Sequence, residues 1–472
     1  MRPPQDERAP SIFGEPGAPR QQVGVTMNLA KSIRVSIALA LALTMSVSGV
    51  AYAADPTVDA NAAGKIEGSG ATFPWNQYTD WFRSFTDENT EATAVTTGTS
   101  RAQFHSSNST NSLVLGYTGG GSGAGITNFY GTARRTATQM FSGSDAVLTS
   151  AQRASIDATD IRGRYSVIPA ITGPLSMVYR LDGLKTTGGA AATLRLNGEV
   201  VCGMYLGTIT KWNDAKIKAL NPNVANLPNA NINVVGRSDG SGTTFVFTSY
   251  LGKASSPAQK NCGFHSNFTS STEANLNDAA GTFTPAQTAP GTYFSAIRAA
   301  NGAAAITGKP GNGGIAPYVK ATNLSISYVE SSYASKYGLQ EAALAAQTKR
   351  GGKTVYLKPT AASINSALTN AVTAEDPINP TTSFVQPVFA AGVNSYPIVG
   401  YSWWLIYHDY STTDGITLGQ VQGMIAFMEW ALTEGQGSTY LYKGYSKVPA
   451  ASAAKGLAEL KKVTFNGLVV WP

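Results

Sequence analysis

Three times in this chain a short strand-like or turn segment breaks into glycines just before a helix-forming stretch. The segments are 68–74 (GSGATFP), 115–126 (LGYTGGGSGAGI) and 234–251 (VVGRSDGSGTTFVFTSYL). Strands alternating with helices predict an α/β fold, because each helix must cover a face of the sheet. The rest of the pattern agrees. Residues 74–85 place Tyr78, Trp81, Phe82 and Phe85 at helical spacing, and 113–117 and 231–235 read as strands. Residues 243–251 and 418–432 read as helices, and no internal repeat is present. At 472 residues and 43% hydrophobic content, the chain is too long for one ordinary core, so two or more packed units are expected.

The first 53 residues read as a leader. From Met27, Lys31 and Arg34 precede an apolar run over 35–50, and Ala51-Tyr52-Ala53 has the small-x-small form of a signal-peptidase site. The run is short for a bilayer span, which needs ~20 residues. Cleavage after Ala53 is expected, with Met27 as the natural start and a soluble, periplasmic or secreted product. The formal charge of the whole chain is +7, and the leader accounts for two of these charges. This mild basic excess suits an anionic ligand, and no Lys/Arg run points to nucleic acid. Three histidines and two cysteines make no zinc signature, so neither a metal nor another cofactor is expected. Cys202 and Cys262 form a disulfide or stay as two buried thiols. Residues 96–111 and 373–382 read as insertions or linkers.

The sharpest chemistry lies at 234–251. A strand delivers Arg237, Ser238, Asp239, Gly240, Ser241, Gly242 and Thr243 to a helix start. Unpaired N–H groups there carry partial positive charge. Gly242 permits close approach, Ser241 and Thr243 add hydroxyls, and Arg237 adds a forked cation. This is a cradle for a tetrahedral oxyanion. Asp239 is placed to brace the guanidinium. Ser122 lies in the second glycine turn. Thr72 and Phe73 offer a hydroxyl and backbone N–H groups at the first helix start, and Asp145 sits in a turn at 143–146. The plain alternative for each is an ordinary helix cap or entry turn. Two catalytic or cofactor patterns compete. The second turn fits a dinucleotide fingerprint only in relaxed form, because position 126 is Ile. Residues 236–240 match G-x-S-x-G, which would make Ser238 a hydrolase nucleophile with His265 or His408 as base. Neither histidine sits in a recognisable motif.

In combination, GSGATFP (68–74), GGGSGAGI (119–126), GSDAVLT (143–149), YLGTITKWND (205–214), NVVGRSDGSGTTFVFTSYL (233–251), GNGGIAPYVKATNLSISYVE (311–330) and SYPIVGY (395–401) resemble the periplasmic phosphate-binding proteins of Pst-type ABC importers. The resemblance covers nearly all of 64–472. It implies a type-2 periplasmic binding protein, with two α/β lobes and a ligand cleft between them. One lobe would be 64–172 plus 399–472 and the other 173–398, with chain crossings near 169–179 and 396–406. It implies a monomeric, non-enzymatic receptor for inorganic phosphate that delivers its ligand to inner-membrane permease subunits. The implied phosphate contacts are Thr72, Phe73, Ser122, Asp145, Arg237, Ser241, Gly242 and Thr243, with Asp239 supporting Arg237. Asp145 would accept a proton that phosphate carries and sulfate lacks, so that repulsion supplies selectivity.

The chain departs from the family pattern in three places. Residues 127–142 are longer than expected and hold Arg134 and Arg135 in place of an acidic residue. GNGG at 311–314 lacks an acidic third residue. Extra residues lie near 96–111 and 340–390. The readings set against importer delivery are a phosphate-binding surface, sensing or scavenging protein, a sulfate receptor, and the Ser238 hydrolase.

Overall fold

The computed structural model describes residues 65–86, 93–97, 101–107, 114–131, 134–146, 148, 152, 154, 156, 165–254, 297–371 and 387–471. The leader, Cys262 and segment 373–382 lie outside them. Among the described residues, eleven strands form one sheet. The first six are β1 (Lys65–Gly70), β2 (Thr93–Thr97), β3 (Arg101–Ser107), β4 (Val114–Gly119), β5 (Phe141–Ser144) and β6 (Tyr165–Arg180). The sheet order is β2, β3, β4, β1, β5, Val399–Tyr407, β6, Ser325–Glu330, Asn233–Arg237, Thr307–Lys309, with Gln340–Glu341 also pairing β6.

Two sets of parallel strands share this sheet. In one, β1 lies between β4 and β5. In the other, Asn233–Arg237 lies between Thr307–Lys309 and Ser325–Glu330. Between the sets run two antiparallel strands, β6 and Val399–Tyr407. β6 is 16 residues long and changes partner along its length. Tyr165 to Pro174 pairs with Val399–Tyr407, and Leu175 to Arg180 pairs with Ser325–Glu330. Both central strands are buried on both faces, which explains their near-continuous apolar sequences. Their register slips between Ser402 and Trp403, opposite Pro169 and Ile171. Proline has no N–H for the ladder, and an irregularity at that point absorbs the loss.

The expected helices form with small boundary shifts. Residues 74–85 appear as Trp75–Thr86, 243–251 as Gly242–Ala254, and 418–432 as Leu418–Leu432. Tyr78, Trp81 and Phe82 are buried on one face of the first helix. Tyr78 stacks on Trp404 with ring centroids 5.9 Å apart, and Phe82 meets Phe427 edge to face at 5.1 Å. The first helix, a central strand and the last long helix therefore share one core.

Part of 96–111 is not linker. β2 and β3 pair antiparallel within and beside it, and β3 pairs β4 at the sheet edge. Threonine-rich backbone suits a strand as well as a loop, and pairing decides between them. Residues 340–371 likewise hold short strands and the helix Ala361–Ala371. Cys202 is fully buried on the helix Gly198–Leu206 and is disulfide-bonded. Among the described residues, no helix is long and apolar enough to cross a membrane.

Gly125 shows how closely the helix Ser122–Tyr130 lies on the strand ends. A Cβ there would sit 2.6 Å from the Gly143 carbonyl oxygen and 2.7 Å from Gly70 Cα. Both neighbours are backbone and cannot swing away. Gly125→Ala is expected to lower stability by about 1–3 kcal/mol. A urea midpoint unchanged from the parent would show that this contact is loose.

Candidate functional site

The carboxyl ends of the first parallel set are level. Gly70 lies opposite both Gly119 and Gly143. Each end turns at once into a site segment: 71–74, 120–122 and 145–146. In the second set, Arg237 ends its strand in register with Lys309, and the helices Gly242–Ala254 and Gly311–Ala321 begin just beyond. Ligands of open α/β sheets bind outside the carboxyl ends of parallel strands. Here two such ends meet.

The meeting is close. Gly123 N–H donates to Gly240 O at 3.0 Å. A Cβ on Gly121 would lie 2.4 Å from Asp239 Oδ2, and φ there is +85°, so the position suits glycine on both counts. A Cβ on Gly242 would lie 2.4 Å from Ser122 Oγ and 2.7 Å from Asp145 Cβ. The residues implied as anion contacts are brought together. Phe73, Ser122, Asp145, Arg237, Ser241 and Thr243 are all buried, and Thr72 is half-buried.

Arg237 is 1% exposed. Its Nε and Nη2 donate to the two oxygens of Asp239 at 2.7 and 2.5 Å, a fork on a carboxylate. Asp239 Oδ1 also accepts the Gly311 N–H at 2.9 Å, which fixes the brace to a second element. Nη1 of Arg237 is buried with no hydrogen-bond acceptor among the described residues. A buried cationic donor in that state is costly, and an anion satisfies it.

The hydroxyls are polarised in one direction. Ser122 Oγ accepts the Asp145 N–H at 3.0 Å, and Ser241 Oγ caps its helix by accepting the Thr244 N–H at 3.0 Å. Thr72 Oγ1 accepts from the Asn312 backbone at 3.2 Å, and Thr243 Oγ1 accepts from Asn312 Nδ2 at 3.2 Å. A hydroxyl has one proton and two lone pairs. When an N–H occupies a lone pair, the proton is what remains to offer. The protons of Ser122 and Thr243 are directed at Asp145, and those of Thr72 and Ser241 remain for a ligand rich in acceptors.

Asp145 is the exception among these donors. It is 1% exposed, and burial pushes its carboxyl up to about 7. Hydrogen bonds from Ser402, Ser122 and Thr243 and the charge of Arg237 pull the other way. Ser402 Oγ donates to Asp145 Oδ1 at 2.7 Å. Glu330 is also fully buried and is pushed up to about 8 by burial. It receives the Ser332 N–H and hydroxyl.

Sequence reasoning missed Ser402, Asn312 and the tyrosines that hold the first turn. Tyr333 donates its hydroxyl to Thr72 O at 3.1 Å, and Tyr445 donates to Phe73 O. A lone serine in the buried run VGYSWWLIY was the available signal for Ser402. For Asn312, GNGG was read only for the acid it lacks. Ser238 is exposed in its turn. His408 lies 2.6 Å from Ser166 Oγ and beside Glu459, and His265 is outside the described residues.

A sheet with two parallel sets meeting across paired central strands, and a buried donor cradle at their carboxyl ends, is the architecture of a type-2 periplasmic binding protein. A model of the PBP superfamily domain matches residues 55–434, and the chain belongs to that superfamily. It is 31% identical over 294 residues to the phosphate-binding protein PstS of Methanocaldococcus jannaschii, spanning 61% of this chain but only 65% of that relative. It is 27% identical over 381 residues to the phosphate-binding protein PstS of Xylella fastidiosa strain Temecula1, covering 81% of each. Among solved structures, it matches the phosphate-bound high affinity periplasmic phosphate-binding protein PfluDING. That match has a TM-score of 0.54 at 20% identity and covers 84% of this chain and 93% of that one, a likeness of fold.

Proposed function

We propose that this protein is an exported receptor that binds inorganic phosphate between two closing lobes and delivers it to an inner-membrane ABC permease. The observation that carries this reading is Arg237, fully buried, braced by Asp239 and left with one donor for an anion. The named relatives are phosphate-binding proteins, which supports the choice of ligand.

In this reading Thr72, Phe73, Ser122, Arg237, Ser241, Gly242 and Thr243 donate to phosphate oxygens, and Asp145 takes the phosphate proton. The lobes are 64–172 with 399–472, and 173–398. β6 and Val399–Tyr407 carry the chain between them, and hinge motion about these strands buries the anion. The leader is removed after Ala53, and N-terminal sequencing of the exported protein would place that cut.

Titration calorimetry of the mature chain, stripped of carried-over phosphate, tests the reading. Tight phosphate binding with no heat from sulfate is the expected result. A folded, stripped protein that takes up no phosphate would end the proposal.

A further inference from the structure

Asn312 belongs to none of the ligand assignments above, yet it sits where the cradle joins. It is the second residue of the helix Gly311–Ala321 and is fully buried. Its side-chain carbonyl accepts the Glu330 backbone N–H at 3.2 Å. A carboxamide has one accepting end and one donating end. The Glu330 bond therefore fixes which end faces the cradle. The donating end, Nδ2, lies 3.3 Å from Thr72 Oγ1 and 3.2 Å from Thr243 Oγ1. The Asn312 backbone N–H adds a further bond to Thr72 Oγ1 at 3.2 Å.

Thr72 follows β1 of one parallel set, and Thr243 opens the helix after Asn233–Arg237 of the other. One side chain thus ties hydroxyls from both sets. Thr72 Oγ1 receives two N–H bonds, which use both its lone pairs. Its proton is all it has left to give. Thr243 Oγ1 also accepts from Asn312, and its own proton is directed at Asp145.

We propose that Asn312 is a positioning residue for anion recognition: it donates to Thr72 and Thr243 together, turns the Thr72 hydroxyl toward the anion and the Thr243 hydroxyl toward Asp145, and so couples the meeting of the two strand sets to an acceptor-rich ligand. The inference rests on the phosphate reading given above. Its chemistry has a sharp converse. A side chain of the same shape that accepts in place of donating would draw the Thr72 proton away from the anion and compete for the Thr243 proton. Aspartate does this and adds a negative charge beside the ligand.

The experiment is phosphate calorimetry on the mature chain carrying Asn312→Ala or Asn312→Asp, each also made with Thr72→Val. Asn312→Ala is expected to weaken phosphate binding about tenfold. Asn312→Asp, which preserves volume, is expected to weaken it about a hundredfold or more. On the Thr72→Val background the alanine loss should shrink to a few-fold, because one hydroxyl through which Asn312 acts is gone. A merely structural asparagine would cost the same factor on both backgrounds, and that result overturns the inference. So does Asn312→Asp binding within twofold of the unaltered chain. If the unaltered chain itself binds no phosphate, the functional reading and this inference fall together. If it binds and the variants match it, only this inference falls.

Discussion

Replacing Asp145 by asparagine should let sulfate into the cleft. The aspartate is buried among donors, and its charge repels a ligand that has no proton to share. Phosphate near neutral pH carries one, so a single proton satisfies ligand and carboxylate together. Asparagine removes the charge and supplies an N–H, so sulfate affinity should rise about a hundredfold or more while phosphate affinity falls about tenfold. Acid should mimic the substitution in part. With the carboxyl pushed up to about 7, lowering the pH from 8 to 5 neutralises it and should strengthen sulfate binding to the unaltered chain by about tenfold. Stability should follow the same group. The unfolded carboxyl titrates near about 4, so between there and about 7 the folded chain holds more protons. Unfolding free energy must then fall as pH rises through that window and level off above it. Glu330, pushed up to about 8, adds a fall of the same sign. The ligand-free Asp145→Asn chain should show a flatter profile, with its largest gain over the parent at pH 8. Arg237 favours the charged Asp145, while Glu330, Tyr78, Tyr117 and Tyr333 face it with the opposite sign. Unchanged sulfate exclusion in the variant would remove Asp145 from the selectivity argument.

Arg237→Met should abolish measurable phosphate binding, a loss of at least about a hundredfold. The variant deletes the buried donor aimed at the anion and also strands Asp239, whose side chain is only 19% exposed. The two effects can be separated. Arg237→Met with Asp239→Asn should recover most of the lost melting temperature and none of the binding. Arg237→Lys should bind nearly as poorly as the methionine variant. One ammonium cannot hold both Asp239 oxygens in parallel and still reach the ligand. A lysine variant within tenfold of the parent would mean that charge alone, not the fork, is what the cleft requires.

Much of this was legible from local pattern. The helix Leu418–Leu432 matches its reading to the residue, and the Arg237–Asp239 pair was expected from a spacing of two. Such features are encoded by neighbours in the chain. What stayed hidden depends on register across great separations. Ser402 lies 257 residues from Asp145, and Asn312 lies 240 from Thr72. No local period marks either. The strands within 96–111 were missed for a related reason. Ser/Thr/Asn-rich sequence reads as loop, and only pairing with β4 makes it sheet.

The pairing of β5 with Val399–Tyr407 also dictates an order of events. A chain exported as proposed would be threaded through the membrane from its amino end. After its first 398 residues have emerged, β5 can pair with β1 but lacks the partner on its other edge, and Asp145 has no Ser402 to hold it. The helix Leu418–Leu432, which covers the same core through Phe427, arrives later still. Contacts so far apart in sequence are slow to form. The first strands to cross must therefore wait, with an open sheet edge, for the last, and such an edge invites aggregation. The site at the strand ends is thus among the last parts of the molecule to be completed. A product cut before Ser402 would keep Thr72, Ser122 and Arg237 but lack the hydroxyl that holds Asp145 and the strand that closes the β5 edge.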